Sequence, residues 1–347
     1  MPALQPKVTN MTAALTPIAS LPACDNASLQ QIIAGATTPL VFKQQCKHWP
    51  LVQAGLQSAM AAADYLRQFY QGEPVTACLL PAEHNGRIFY NDQCNGFNFQ
   101  AGKIDFNQFL DRLLAHAAED ASTLYMGSTE IERWFSGLAN DNSIALQGIT
   151  PLTSVWIGNQ SRIAAHYDFP HNLACNVVGS RTFTLFPPEQ ISNLYPGPME
   201  FAPGGQDISM VDFDQPDLQQ FPRFSKALAA AQSATLEPGD VLFIPGMWWH
   251  HVKAHTPFNV LISHWWRDTP AYLGRPNNAL LMSVLSLRSL PKAQRQAWKA
   301  IFEHYIFEHD DVSQQHIPAD AQAMLTKPIT ELQARQLRAD LLNKLKR

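Results

Sequence analysis

The sequence is short of charge and of long apolar runs. Only 16% of its 347 residues are Asp, Glu, Lys or Arg, and 25 basic residues against 29 acidic ones leave a formal charge of −4. Such a chain lacks the concentrated basic surface that general nucleic-acid binding needs, so no nucleic-acid partner is expected. No apolar run approaches the roughly 20 residues that cross a bilayer, so no membrane partner is expected either. Cysteine is scarce: Cys24, Cys46, Cys78, Cys94 and Cys175 are odd in number and form no Cys-x-x-Cys pair. That pattern speaks against a disulfide framework and suits reduced, buried thiols. Leu21-Pro22-Ala23-Cys24 faintly resembles a lipoprotein cleavage site, but Pro17 and Pro22 break the stretch before it and no continuous apolar core precedes it. The expected compartment is the cytoplasm. Internal repeats and low-complexity segments are absent as well. What is plentiful is apolar residue, at 46%, enough for a well-buried core.

The chain divides into three stretches, read as residues 1–122, 123–269 and 270–347. In the first, an irregular lead-in over 1–26 precedes a short helix over 28–34, capped by Asn26 or Ser28, and a strand over 39–43. A helix over 59–70 carries Met60, Tyr65, Leu66 and Phe69 on one face. Strands over 74–80 and 87–90 flank the turn-forming Asn85-Gly86, and an amphipathic helix covers 104–116. None of this identifies a chemistry. From Thr123 to Trp266 the character changes to short β-rich runs, over 123–126, 154–157, 175–178, 182–186, 241–244 and 259–266, punctuated by Pro and Gly. Many short strands of this kind indicate a sandwich or barrel. Residues 197–234 interrupt them with an insertion too long for a hairpin, expected over the mouth of the barrel. After Pro270 helices are expected over 277–290, 292–308 and 330–346.

One segment stands apart, Ala165-His166-Tyr167-Asp168-Phe169-Pro170-His171-Asn172. In an extended strand alternate side chains share a face, so His166 and Asp168 offer an imidazole and a carboxylate side by side. A second strand must supply a third ligand, and Phe243-Ile-Pro-Gly-Met-Trp-Trp-His250-His251 contains two candidates, which the residues alone leave equal. His171 could instead complete a local set, although Pro170 is expected to end the strand before it. Two histidines and one carboxylate leave half of an octahedral sphere open, an arrangement that suits non-haem Fe(II). A lone His-x-Asp is common, and a hydrogen-bonded strand histidine is the plainer reading of that motif by itself.

Taken together, the run from His166 through Phe186-Pro187-Pro188-Glu189-Gln190, then Asn193-Leu194-Tyr195-Pro196, then Phe243 to His251, resembles the Jumonji-C type, cupin-like 2-oxoglutarate oxygenases, and within them the asparaginyl hydroxylases. The resemblance extends from about Leu124 to Trp266. It implies a mainly β double-stranded β-helix, a jelly-roll or cupin barrel, with flanking helices and a helical C-terminal region. It also implies hydroxylation coupled to decarboxylation of 2-oxoglutarate, with Fe(II) held by His166, Asp168 and His250, the histidine directly after the aromatic pair. By the same resemblance Tyr125 hydrogen-bonds the distal carboxylate of the co-substrate, Asn172 lies beside it and Trp265 lines its pocket. Where relatives place a lysine for that carboxylate this chain has Arg181, which can grip a carboxylate bidentately. Ile163 replaces a hydroxyl-bearing residue and Ser263 an amide, so fewer neutral donors are expected around the carboxylate.

Relatives of this kind act on protein side chains, RNA or small molecules; a protein side chain is the expected substrate here, with a small molecule as the other choice. Trp248, Trp249, Trp265, Trp266 and Phe169 are candidates for a substrate groove, with core packing the plainer alternative. A metal-binding cupin enzyme or sensor without 2-oxoglutarate is the rival, and a catalytically idle interaction protein a third. The apolar residues of the C-terminal helices, among them Leu280, Leu281, Leu285, Trp298 and Ile301, are expected to form a homodimer interface.

Overall fold

The computed structural model describes residues 15–116, 122–310, 312–325 and 328–346. Residues 1–14, the larger part of the expected irregular lead-in, lie outside them. Two compact units are formed, divided between Arg267 and Asp268. The strands of the first unit are, in chain order, β1 Thr16–Pro17, β2 Ala19–Pro22, β3 Leu40–Lys43, β4 Val75–Leu80, β5 Arg87–Ile88 and β6 Gln100–Ile104. The middle of the chain adds β7 Thr123–Glu130, β8 Leu152–Gly158, β9 Arg162–Tyr167, β10 His171–Val178, β11 Arg181–Phe186, β12 Gln232–Leu236, β13 Val241–Ile244, β14 Trp249–Ala254 and β15 Asn259–Trp266.

These strands make two sheets, in the orders β1-β12-β11-β14-β9-β5 and β2-β3-β13-β10-β15-β8-β7-β4-β6. The mainly β, jelly-roll class read from the sequence holds, with two large mixed sheets rather than one continuous closed barrel among the described residues. From β8 to β15 the chain passes back and forth between the sheets. Its one departure is β11 to β12, neighbours in the same sheet, where the insertion over 197–234 intervenes.

The pattern of apolar residues explains the layers. Strand β10 is buried along almost its whole length, from Asn172 to Val178, as a strand covered on both faces must be. One face of its sheet packs on the N-terminal helices through Leu29, Leu51, Leu66, Phe106 and Phe109. Between the sheets, Phe183 and Leu185 of β11 meet Ala174, Leu242 and Ile244. Gly179 turns the chain from β10 into β11 at φ +77°, and a Cβ there would strike Thr256 and Asn259.

Several local expectations change in detail. The first helix, Asn26–Ala34, is capped by Asp25, whose Oδ1 accepts from the Ser28 amide at 2.9 Å. A helix over Pro50–Gln57 was not foreseen; proline opens it at its first position, where the missing N–H costs no helical bond. The part of the lead-in from Thr16 to Pro22 supplies two edge strands. Pro170 does fall between strands, yet β9 ends one residue before Asp168 and His171 opens β10.

The second unit contains helices over Pro276–Leu287, Lys292–Phe302 and Glu331–Leu345, the last with a capping box between Thr330 and Gln333. The middle stretch is helical almost to its expected end, but its last turn, Glu303–Phe307, is π-helical. Among the described residues of this unit Ala334 is the only buried apolar one. No described helix is long and apolar enough to cross a membrane.

His264 shows how completely the first core excludes water. It is fully buried, with its Nε2 accepting from the Ile144 amide at 3.1 Å and facing Ser143 Oγ at 2.9 Å. Burial lowers its pKa to about 4. The unfolded chain therefore binds a proton, between its ordinary value near 6.5 and 4, that the folded chain refuses. This contribution is intact above about pH 6.5 and lost as the pH falls toward 4, by about 3 kcal/mol. Urea unfolding from pH 7 to 4.5 should show a shallower loss of stability in His264→Gln than in the parent chain; equal slopes would contradict this.

Candidate metal centre

The pairing of β9 with β14 sets His166 directly opposite His250. Their ring centroids lie 4.2 Å apart. Asp168 follows two residues later, in the turn beyond β9, where its carbonyl accepts from the Met247 amide at 2.7 Å. Its Oδ2 comes to 3.7 Å from His250 Nε2. One ligand atom from each of the three residues lies within 4.8 Å of the others, close enough for a single ion.

The remaining ring atoms prepare the imidazoles for metal. His166 Nδ1 lies 2.9 Å from the Ala164 carbonyl and His250 Nδ1 3.1 Å from that of Trp248. A carbonyl can only accept, so each Nδ1 carries a proton and Nε2 is the ring atom left to face an ion. Burial, with His166 alongside, lowers the His250 pKa to about 4, which leaves that ring neutral at physiological pH. A ligand set of two imidazoles and a carboxylate suits a divalent transition metal.

His250 and His251 part company through strand alternation. In β11–β14 pairing His250 stands opposite Leu185 and His251 opposite Thr184. His251 turns away from the cavity and stacks on Phe213 at 4.6 Å, and burial drives its pKa down to about 3. His171 is also elsewhere, stacked near Trp266 and Phe243 and accepting from the Gly246 amide at 3.1 Å.

The triad lines a cavity of about 360 Å³ between the sheets. Tyr125, Asn172, Arg181, Ser263 and Trp265 line it as well, with Ile163 beside them. Arg181, at the start of β11, is only 6% exposed. Burial lowers its pKa to about 10, still charged at neutral pH. Its Nε has no hydrogen-bond partner, and it makes no ion pair with a carboxylate among the described residues. Tyr125 on β7 packs against Gly158, where a Cβ would lie 2.8 Å from the Leu124 carbonyl, and burial raises its phenol pKa.

Two further buried polar atoms on this wall have no partner, Asn172 Oδ1 and Trp265 Nε1, on residues paired across β10 and β15. Buried groups of this kind are normally satisfied, so three of them around one cavity point to a polar ligand. Ser263 differs: its hydroxyl accepts from Trp156 Nε1 at 2.8 Å and faces the Ser154 carbonyl, so both of its bonds are made within the protein. Of the aromatic residues considered for a substrate groove, Trp248, Trp249 and Trp266 are buried in three different core clusters and Phe169 is 37% exposed. Trp265 alone of the five lines the cavity.

The insertion contributes Pro203, Gly204, Gln206 and Ile208 to the cavity wall, while its later part forms a helix over Phe224–Ala230 packed on Phe186 and Trp249. Gln206 was missed by sequence reasoning. Its Nε2 donates to Asp168 Oδ1 at 2.8 Å, and nothing in the loop sequence Pro203-Gly204-Gly205-Gln206 signals that contact.

Comparison with known proteins fits this geometry. The profile of the family described as cupin-like domain matches residues 26–272. The HSPB1-associated protein 1 of Homo sapiens is 35% identical over 150 residues, which is 42% of this chain and 30% of that protein. The lysine-specific demethylase JMJ31 of Arabidopsis thaliana is 32% identical over 146 residues, 39% of this chain and 26% of that protein. The tRNA wybutosine-synthesizing protein 5 of Danio rerio is 34% identical over 142 residues, 41% of this chain and 36% of that protein. The matched stretches thus span little more than a third of these relatives at most.

Co(II) binding at pH 7 separates the two adjacent histidines. His250→Ala should weaken it at least 100-fold, whereas His251→Phe, which keeps the stacking on Phe213, should leave it within about threefold. Equal losses in both variants would contradict the assignment of ligand and bystander.

Proposed function

The chain belongs to the cupin-like domain family, and from that premise we propose that it is an Fe(II)- and 2-oxoglutarate-dependent oxygenase that hydroxylates a protein side chain. The observation that carries the reading is Arg181, a buried cation without an acidic partner on the same cavity as the two histidines and the carboxylate. A buried charge normally has a partner, and an anionic ligand supplies the missing one. Any rival reading must likewise supply an anion for this guanidinium.

In the proposed reaction His166, Asp168 and His250 hold Fe(II), and Arg181 with Tyr125 anchors the distal carboxylate of 2-oxoglutarate. Together ion and co-substrate supply reductive activation of O₂, coupled to release of succinate and CO₂ and hydroxylation of a C–H bond. The protein's part is positioning. His166, Asp168 and His250 would supply the protein's three donors and leave the remaining positions of an ion to exogenous ligands. Trp265 Nε1 presents an unpaired donor to the co-substrate. Phe183, Leu261 and Val252 line the cavity among these polar groups and exclude water around them.

The finer claim, a protein side chain as substrate, is supported by the name of one relative, the lysine-specific demethylase, and by the surface of this chain. Phe97 and Phe99 stack at 5.0 Å, Phe97 is 37% exposed, and Phe99 also lines the cavity, so apolar surface continues outward from the metal. The RNA chemistry in the name of another relative is not matched by net positive charge here.

The second unit, with one buried apolar residue among its described residues and with Leu285 and Phe307 each 73% exposed, supports a homodimer in which its helices cover a second copy. Light scattering at micromolar concentration should give twice 38.7 kDa; a single-chain mass would contradict it.

The oxygenase reading has its own test. With Fe(II), O₂ and 2-oxoglutarate, the protein should release succinate, and His166→Ala or Asp168→Ala should abolish that release. Arg181→Met should raise the KM for 2-oxoglutarate about 10- to 100-fold, the loss of a charge-assisted contact. Succinate formation unchanged by all three substitutions would overturn it.

A further inference from the structure

The carboxylate of the metal centre is held from outside the strands that present it. Gln206 Nε2 donates to Asp168 Oδ1 at 2.8 Å, while the other oxygen, Oδ2, is the one 3.7 Å from His250 Nε2. Gln206 opens a stretch that runs back along β9. Ile208 bridges His166, and the Ser209 amide donates to the Ala165 carbonyl at 2.7 Å. Farther on, Arg162 at the first position of β9 binds Asp212 at 2.7 Å and Asp214 at 3.4 Å, and Lys253 of β14 binds Asp214 at 2.7 Å. Residues 206–214 are therefore fastened to β9 and β14, the two strands that bring the ligands together.

We propose that Gln206 is a positioning residue for the metal centre, and that residues 206–214 act as a strap that fixes which oxygen of Asp168 faces the ion. The inference rests on the reading of His166, Asp168 and His250 as ligands. A carboxylate with both oxygens free can rotate and ligate through two atoms, occupying a second coordination position. An amide donor engaging Oδ1 holds the plane of the group and leaves Oδ2 alone toward the imidazoles. The outer partner of a ligating group typically sets metal affinity by 10- to 100-fold. The strap lies in the insertion, so substrate or loop motion that displaces Gln206 would alter the ion's surroundings.

The test uses Co(II) as probe, with the full chain and without 2-oxoglutarate. Affinity comes from equilibrium dialysis, and ligand geometry from the visible absorption of the bound ion. Gln206→Leu, which keeps the bulk and removes the donor, should weaken Co(II) binding about 10- to 100-fold and change the band shape. The melting temperature of the metal-free protein should stay unchanged. Asp212→Asn, which loosens the strap at its far fastening, should weaken binding by a smaller factor, about threefold. If wild type binds Co(II) and Gln206→Leu binds with the same affinity and spectrum, the proposal is overturned and the metal-centre reading stands. If wild type binds no Co(II), both fall. A weaker affinity in Gln206→Leu with an unaltered spectrum and a lowered melting temperature would mark a merely structural role and overturn the positioning claim.

Discussion

The register between β9 and β14 is the constraint on which the rest depends. His166 and His250 are neighbours because these strands pair where they do, and a slip of one residue would send every side chain of β14 to the other face. The pairing is pinned on the far side by β11, which matches β14 over six residues from Arg181 to Phe186. Arg181 opens that same strand, so one three-strand register sets both the ligand pair and the lone guanidinium. The opposite sheet then supplies Tyr125, Asn172 and Trp265 to complete the cavity.

Electrostatics and burial act together in this arrangement. Arg181 and Asp168 share the cavity wall, yet no ion pair joins them among the described residues. Asp168 is engaged by Gln206 and approached by His250, and the guanidinium is left to a ligand. A site built to stabilise only the fold would pair its buried charges internally, because an unpaired one costs several kcal/mol. Keeping them apart makes sense where an ion and an anion are to be bound at separate points of one pocket. The aromatic rim through Phe97 and Phe99 then gives that pocket an apolar approach.

Much of this was legible in the sequence, for reasons that can be stated residue by residue. The β-rich middle and its turns announce the fold class, and His166, Asp168 and a later histidine announce a metal chemistry. The choice between His250 and His251 was not legible from those residues, since both are buried; it needs the cross-strand partners Leu185 and Thr184. The closeness of Asp168 to the imidazoles has a different origin from the strand alternation first invoked. Asp168 lies beyond the end of β9 and is held by the turn whose carbonyl meets Met247. Gln206 left no trace at all, because a contact made by an irregular loop has no period and no spacing. The tryptophans were ambiguous for the opposite reason: Trp248, Trp249 and Trp266 have the same composition signal as Trp265, and only the layers of the fold decide which one reaches the cavity.

The central claim is that one ion and one 2-oxoglutarate share this cavity, the first on His166, Asp168 and His250 and the second on Arg181. Anaerobic titration of the Fe(II)-loaded protein with 2-oxoglutarate, followed by visible absorption, tests both halves at once. A weak metal-to-ligand charge-transfer band that rises and saturates with one equivalent is the predicted result. A protein that binds Fe(II) but develops no such band at saturating 2-oxoglutarate would contradict the account.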